Sequence, residues 1–470
     1  MSALDSLVDL RPLRENRVFR RFWLGTTASG LGGQLGAFAV VFYVWDRTHS
    51  AAAVGLVGLV AAVPLIVLAL AGSAFADHVD RRRLALACAY GQLAVSLAMA
   101  GVAGSDVGGV PLMLVLQGVA SAFSALGAPA RRTFTPALLA GERLAAGLAL
   151  NHLSFQLAML LGPAAAGLVT AQWGVTWCFV VDAATFGFAL IGIAGLPGGV
   201  PAAAGRPGVA AVRDGFRFTA RTPEVRGAFL ADLAATLLAM PVALFPVINA
   251  ERFGGRPEIL GLFTTAVAVG GVLASVLSGL ATRRRRPGLV LLVCGGIWSV
   301  SLGLVGVSGH LVVVLALLAL AGGADTWAVV SRGTVVQSST PPEYRGRVAS
   351  LEHIVGTAGP QLGNLRAGLV AAATSGGAAL AIGGVTGLVA TSLLAVGTPA
   401  LRRFAAPREA APREAAPREA VAREAVAREA APREAVAREA VAREAAPREA
   451  VAREAVAREA VAGDPAAPGR

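Results

Sequence analysis

Lysine is absent from this chain of 470 residues, so its 41 basic residues are all arginine, and only 15% of its residues are charged. A soluble domain of this size would carry far more surface charge. The GxxxxGKS/T loop that cradles nucleotide phosphates needs a lysine, so we do not expect ATP to drive this protein. Cysteine is also scarce. Cys88, Cys178 and Cys294 lie inside apolar runs, at spacings unlike those of a metal site. We expect neither an enzyme site nor a cofactor.

Apolar residues make up 55% of the chain, and they are gathered in long runs. A run of about 20 residues can cross the roughly 30 Å hydrocarbon core of a bilayer. Inside that core the backbone must satisfy its own hydrogen bonds, so each run must be helical. The sequence predicts an all-α membrane protein with twelve transmembrane helices, over 22–45, 52–76, 84–104, 108–128, 144–170, 174–196, 227–249, 258–281, 288–307, 310–332, 348–373 and 376–400.

The arginines follow an alternating pattern along these spans. The N-terminal segment 1–21 is basic, every second loop after it is basic, and the intervening loops hold few arginines. The positive-inside rule then predicts that both termini are cytoplasmic, in a multi-pass protein of the plasma (inner) membrane. The net charge of +12 is explained by this orientation, so we expect the lipid bilayer as a partner and no nucleic acid.

The longest loop, 197–226, divides the spans into a six-helix half over 22–196 and a second over 227–404. The halves look like weak copies, since a glycine and an arginine cluster follow span two (Gly72, Arg81–Arg83) and span eight (Gly279, Arg283–Arg286). Parallel repeats of six helices are typical of one transporter architecture.

The tail, 405–470, is a low-complexity run of pentads of the Ala-Pro-Arg-Glu-Ala or Val-Ala-Arg-Glu-Ala type. A period of five gives a helix no apolar stripe. We interpret it as a repeat expansion without a specific function. The alternative is a spacer or a docking tail whose partner the sequence does not identify.

Four stretches carry a resemblance to a known family: Arg14–Gly25, Asp77–Arg83, Asn151–Gly167 and Arg345–Val348. In this order on twelve spans they resemble the major facilitator superfamily, and within it the branch of enterobactin exporters and drug antiporters. The resemblance implies two pseudo-symmetric halves, alternating access, small-molecule substrates and protons. The chain departs from the pattern at Leu114, where proton-linked antiporters commonly carry an arginine.

The loop between spans two and three resembles the gating motif of that superfamily. Its residues are Gly72, Asp77, Asp80, Arg81, Arg82 and Arg83. The resemblance implies that Asp77 caps a helix of the opposite half, and Arg345, Arg347 and Glu352 are the candidate latch partners there. The alternative is a solvated hairpin turn.

Span five carries Gly162, Pro163 and Gly167, which resemble an antiporter motif. Proline kinks a helix and glycine lets helices approach closely. We interpret these residues as a hinge between the halves, with plain packing as the alternative.

Ionisable groups within spans are costly and therefore suggest function. Asp232 and Asp325 are the leading candidates for binding a proton or a cationic substrate. His152, Gln34, Tyr43 and Gln117 are further candidates for the proton or substrate path, with hydrogen bonding and packing between helices as the alternative. For Asp182 we favour a structural role. Arg366, deep in span eleven, needs a partner that the sequence does not identify.

The leading hypothesis is a secondary active transporter that exports a small amphipathic molecule, such as a drug, siderophore or secondary metabolite, in exchange for protons. A uniporter or importer is one alternative. A membrane scaffold or sensor that works through its repeat tail is the other.

Overall fold

The computed structural model of the protein describes residues 9–76, 79–105, 107–199, 209–277 and 286–405. Within these ranges all regular structure is helical. The helices are α1 (Arg11–Glu15), α2 (Arg17–Thr48), α3 (Ala51–Ala76), α4 (Arg81–Ser105), α5 (Gly109–Leu138), α6 (Glu142–Trp173), α7 (Val175–Ala194), α8 (Val209–Arg221), α9 (Pro223–Ala239), the 3-10 turn η1 (Val242–Leu244), α10 (Phe245–Phe253), α11 (Pro257–Val276), α12 (Pro287–Val307), α13 (Leu311–Ser339), α14 (Arg345–Ala373), α15 (Gly376–Gly397) and α16 (Pro399–Arg403).

Eleven helical spans in the described ranges are long and apolar enough to cross a membrane, with α9, η1 and α10 counting together as one. The predicted eleventh span corresponds to α14. It is 29 residues long and packs along α3 and α9, but its arginines, glutamate and amides make it less apolar. With α14 the spans number twelve, and the predicted all-helical membrane fold is confirmed. The segment predicted as the central loop contains α8.

Two spans continue well beyond their predicted last residues. Span four was predicted to end at 128, yet α5 continues to Leu138 through Pro129 and Pro136. Span ten was predicted to end at 332, yet α13 continues to Ser339. At about 1.5 Å per residue, each helix is several turns longer than the hydrocarbon core of the bilayer is thick. Hydropathy identifies only the part of a helix that lies in the hydrocarbon core of the bilayer. Arginines that were predicted in the loop after span four therefore lie on α5.

Span seven is broken near its middle. The helix α9 ends at Ala239, η1 follows, and α10 starts at Phe245. Pro241 and Pro246 lack the amide hydrogens that a continuous helix would use. Non-helical backbone at membrane depth is tolerated where protein surrounds it, and Ala243 and Leu244 are buried.

Three clusters of buried apolar side chains show how the halves meet. At the end that carries Arg81–Arg83 and Arg345, the arginine-rich end, one cluster around Phe134 belongs to the first half alone. A second, around Phe229, belongs to the second half alone. At the opposite end a single cluster draws on both halves. In the described ranges, the halves therefore share a core only at the end away from the arginines.

Glycines bring helices of the two halves into contact at that opposite end. A Cβ on Gly368 of α14 would stand 2.4 Å from the carbonyl oxygen of Ala51 on α3, and one on Gly58 would stand 2.6 Å from that of Gln361. On the other side, a Cβ on Gly167 of α6 would stand 2.7 Å from the carbonyl oxygen of Pro257 on α11. No side chain fits at such distances. We call these α3–α14 and α6–α11 contacts the seal.

Candidate functional site

A cavity of about 210 Å³ lies between the two halves next to the seal. Both halves contribute to it, through α2, α3, α5 and α6 on one side and η1, α10, α11 and α14 on the other. None of the residues that line it is ionisable. They are Gln34, Ala37, Phe38, Val41, Val54, Val57, Gly58, Ala61, Gln117, Pro163, Val242, Ala243, Phe245, Leu260, Thr264, Gln361 and Asn364.

Four carboxamides supply most of the polarity of this cavity. Gln34 and Gln117 were predicted to face a cavity, and both line it. Gln361 and Asn364 were not predicted. They lie three residues apart on α14, which places them on one face of that helix. A search of span eleven for amides at helical spacing would have found them.

Gly162 positions Gln34. A Cβ on Gly162 would lie only 2.4 Å from Cβ of Gln34, so α2 can approach α6 this closely because the residue is glycine. Pro163 lines the cavity, and α6 remains helical on both sides of this proline. Gly167 belongs to the seal. The predicted hinge motif thus lies where α6 meets both α2 and the opposite half.

The break in span seven borders the cavity, and two side chains of α14 satisfy its backbone. The amide of Ala243 donates to Oδ1 of Asn364 at 3.1 Å. The guanidinium of Arg366 donates to the carbonyl oxygen of Leu238 near the end of α9. Arg366 therefore has a backbone partner, which is why no acidic partner was evident from the sequence.

An ionic cluster lies in the second half, nearer the arginine-rich end. Arg332 of α13 pairs with Asp232 of α9, and its Nε lies 3.5 Å from Oε1 of Glu352 on α14. Arg332 is buried, with 9% of its surface exposed. Asp325 precedes Arg332 by two helical turns and interacts electrostatically with Asp232 and Arg332. Two carboxylates thus pair with one arginine, and Asp325 is a third acid in their electrostatic surroundings.

Arg332 is, with Gln361 and Asn364, a functional candidate that the sequence did not identify. The predicted span ten ends at Arg332, which is not among the predicted site residues. Its spacing of seven residues from Asp325 places both on one face of a helix, and that signal could have identified it.

The other predicted path residues lie elsewhere. Tyr43 is 1% exposed and packs in the core shared by the halves, with the guanidinium of Arg47 over its ring. His152 is exposed on α6 and does not line the cavity. The cavity occupies only part of the length of α2 and of α6, and it reaches neither residue. Asp182 accepts a hydrogen bond from Ser96 at 2.6 Å, as expected of a structural residue.

The loop after α3 is anchored to the segment that follows α7. Asp80 accepts hydrogen bonds from the amides of Arg83 at 2.9 Å and Gly199 at 2.6 Å. These bonds hold the pKa of Asp80 below its usual range. Arg81 returns a bond from its amide to the carbonyl oxygen of Gly199. Gly72 lies in the last turns of α3, while Asp77 lies outside the described residues.

The candidate latch partners are engaged with the second half and with α8, which precedes it. Glu352 pairs with Arg332, and Arg347 lies 3.7 Å from Asp214 of α8. Arg345 donates to the carbonyl oxygen of Thr340 at 3.4 Å. In the described part of the chain, the structure does not bring these three residues to the loop 79–83.

Comparison with known proteins places this architecture. Residues 8–433 match the family described as transmembrane secretion effector. The enterobactin exporter EntS of Shigella boydii serotype 18 is 26% identical over 409 residues, which cover 86% of this chain and 97% of that protein. The enterobactin exporter EntS of Escherichia coli O139:H28 matches with the same identity and coverage.

Solved structures share the fold. The nucleoside transporter NupG aligns with a TM-score of 0.66 at 12% identity, covering 82% of this chain and 99% of its own. A bacterial homologue of the iron transporter ferroportin, in its inward-facing state, aligns with a TM-score of 0.64 at 15% identity, covering 82% of this chain and 99% of its own.

Proposed function

This chain belongs to the transmembrane secretion effector family of the major facilitator superfamily, and from that premise we propose that it exports a small amphipathic molecule across the plasma (inner) membrane in exchange for protons. The family and the relatives are transporters, so the protein is a multi-pass secondary transporter and not an enzyme. The EntS relatives are enterobactin exporters, which supports a siderophore-like molecule within this substrate class.

The packing of the two halves supports alternating access. Their shared core and the seal lie at one end, while at the arginine-rich end each half has its own core. If the arginines face the cytoplasm, as the positive-inside rule favours, this is the inward-facing state. An exporter in that state loads its substrate from the cytoplasm.

The ionic cluster is our candidate for the proton site. Asp232, Glu352 and Asp325 place three acidic groups beside the single positive charge of Arg332. A carboxylate in excess within a span is costly to keep ionised. When one carboxylate of the cluster binds a proton, the excess of negative charge falls and the ion pairs with Arg332 weaken. These ion pairs connect α9, α13 and α14. This cluster is the observation that carries the coupling proposal.

The proton site and the cavity do not share residues. On α14, Glu352 and Gln361 are nine residues apart, or about 13 Å along the helix axis. The proton and the substrate therefore do not compete for one side chain. The helix α14 contributes to the ionic cluster, to the cavity and to the α3–α14 contact of the seal. We therefore propose that α14 couples proton binding at the cluster to substrate binding in the cavity.

Proton release from energised inside-out vesicles tests the proposal. Vesicles containing the full chain hold an imposed pH gradient, and a panel of siderophores, dyes and antibiotics is added while an internal pH-sensitive dye is followed. An exported compound should collapse part of the gradient. Asp325→Asn and Asp232→Asn should each abolish that response, because they remove a proton-accepting carboxylate.

Asp46→Asn is the matched control, since Asp46 is an exposed carboxylate at the end of α2. It should behave like the unmodified chain. Transport of a compound without any proton movement would favour the uniporter, an alternative that Leu114 supports. Full loss of transport on deletion of 405–470, with normal insertion, would favour a working tail.

A further inference from the structure

We infer that the cavity selects an uncharged molecule that both donates and accepts hydrogen bonds. The groups that form hydrogen bonds with this molecule are Gln34 and Gln117 of one half and Gln361 and Asn364 of the other. This inference rests on the proposed function, because it takes the cavity to be the place where the transported molecule binds. It adds the class of substrate.

The cavity lining holds no group that could balance the charge of an ion. None of its seventeen residues is ionisable. Moving an ion out of water costs several kcal/mol or more unless a counter-charge or a full set of hydrogen bonds awaits it. The ionic cluster begins about 13 Å away along α14.

The arginine nearest in sequence to the cavity is committed elsewhere. Arg366 follows Asn364 by two residues, which places it on a different face of α14. Its guanidinium donates to the backbone of Leu238. An anionic substrate therefore does not find a free positive charge at this site.

The carboxamides of the cavity have hydrogen-bonding capacity to spare. Each offers two donors and one acceptor oxygen with two lone pairs. Gln34 donates from Nε2 to the sulfur of Met159 at 3.2 Å, which is a weak acceptor. Asn364 uses its oxygen on Ala243 and keeps its NH₂ group to donate. For Gln117 and Gln361 the described part of the chain provides no hydrogen-bond partner.

Apolar surface completes the site. Phe38 of α2 and Phe245 of α10 line the cavity from opposite halves, alongside valines and alanines. A substrate with a flat or apolar body and polar groups on its rim matches this distribution. Because amides donate and accept alike, the site discriminates strongly by charge and weakly by the identity of the polar group.

A matched set of three coumarins tests the inference on the purified full chain. Coumarin-3-carboxamide is uncharged, coumarin-3-carboxylate is an anion, and the amide bearing a trimethylammonioethyl group is a cation. Equilibrium dialysis measures the affinity of each. We expect the uncharged probe to bind at least ten times more tightly than either ion.

Substitutions locate the binding to these amides. Gln361→Leu and Gln117→Leu should each weaken binding of the uncharged probe by about 2- to 10-fold, the effect of losing one neutral hydrogen bond. Gln117→Glu should reverse the selectivity toward the cation. Gln337→Leu is the control, since Gln337 is exposed on α13 and should leave the affinity unchanged.

Equal or tighter binding of a charged probe would overturn the inference and leave the transport proposal standing. Failure of all three probes to bind a monodisperse protein, or an effect of Gln337→Leu equal to that of Gln361→Leu, would also overturn it. The transport proposal is tested separately, because the vesicle experiment needs no coumarin.

Discussion

Two arginines occupy equivalent places in the two halves but have different partners. Arg131 lies seven residues before the end of α5, and Arg332 lies seven residues before the end of α13. Arg332 holds Asp232 and Glu352. Arg131 donates to the carbonyl oxygen of Ser124 at 3.3 Å, and among the described residues it has no carboxylate partner. Equivalent positions in the two halves therefore do not give the two arginines the same surroundings, since in the described part of the chain only Arg332 of the two pairs with carboxylates.

The largest expected difference comes from removing each arginine. Arg332→Leu should destabilise the protein by about 3–5 kcal/mol and abolish export, because it leaves buried carboxylates without their counter-charge. Arg131→Leu should cost about 1 kcal/mol, the net value of a typical hydrogen bond. Thermal unfolding in detergent measures both. Equal losses would mean that the two arginines have the same structural role.

Introducing a carboxylate beside Arg131 would test whether an acidic partner accounts for the difference between the two arginines. Cys88 of α4 is buried and lies close enough to Arg131 to interact with it electrostatically. Cys88→Asp should be tolerated beside Arg131, but should lose a further 1–3 kcal/mol, roughly, when combined with Arg131→Leu, because the carboxylate then lacks a partner. A double-mutant cycle reports this coupling. Strictly additive losses would show that the new carboxylate does not reach Arg131.

Asp182, a buried acid of the first half, provides a test with a smaller expected effect. Asp182→Asn keeps an oxygen that can accept from Ser96, so we expect a change in stability of about 1 kcal/mol or less and normal proton release in vesicles. Asp325→Asn should eliminate that release. The two variants carry the same chemical change in opposite halves. If Asp182→Asn uncoupled transport as well, the proton path would have to include both halves.

The smallest effect concerns the loops at the arginine-rich end. Asp80 caps α4 through backbone amides, whereas Arg286, at the same place before α12, makes no capping bond. Because the folded-state pKa of Asp80 is lowered, its stabilising effect is present above the unfolded pKa of about 3.9. It is lost as the pH falls through the folded value. Asp80→Ala should lower the melting temperature slightly at pH 7, and the difference should vanish in acid. A difference that persisted in acid would contradict this origin.

Much of the fold could be predicted from the sequence because hydrocarbon imposes helices and their lengths. The run 310–332 of the sequence identified span ten, but hydropathy does not register the polar turns beyond the bilayer. It therefore placed Arg332 at a boundary and hid its role. The break in span seven was missed for a related reason, since Val242 and Leu244 are as apolar as a continuous span.

The candidate site was predictable only in part. Asp232, Asp325, Gln34 and Gln117 stand out because polar groups in spans are costly. The pairing of Glu352 with Arg332 depends on how α13 and α14 cross, which no local pattern records. Tyr43 lies in the shared core and not in the cavity lining, because a side chain with a polar tip on an apolar ring also suits a core.

The shared core has a consequence for the order of biosynthesis. The cluster at the arginine-rich end of the first half is complete once Leu196 has been made. The cluster that joins the halves draws on residues from Leu35 to Leu380. It cannot close until α15 has left the ribosome and entered the bilayer. The glycine face of α6 has only lipid or the insertion machinery against it until α11 is inserted, and that of α3 until α14 is inserted. The nascent first half therefore has the residues of its own core well before its partner helices in the second half exist.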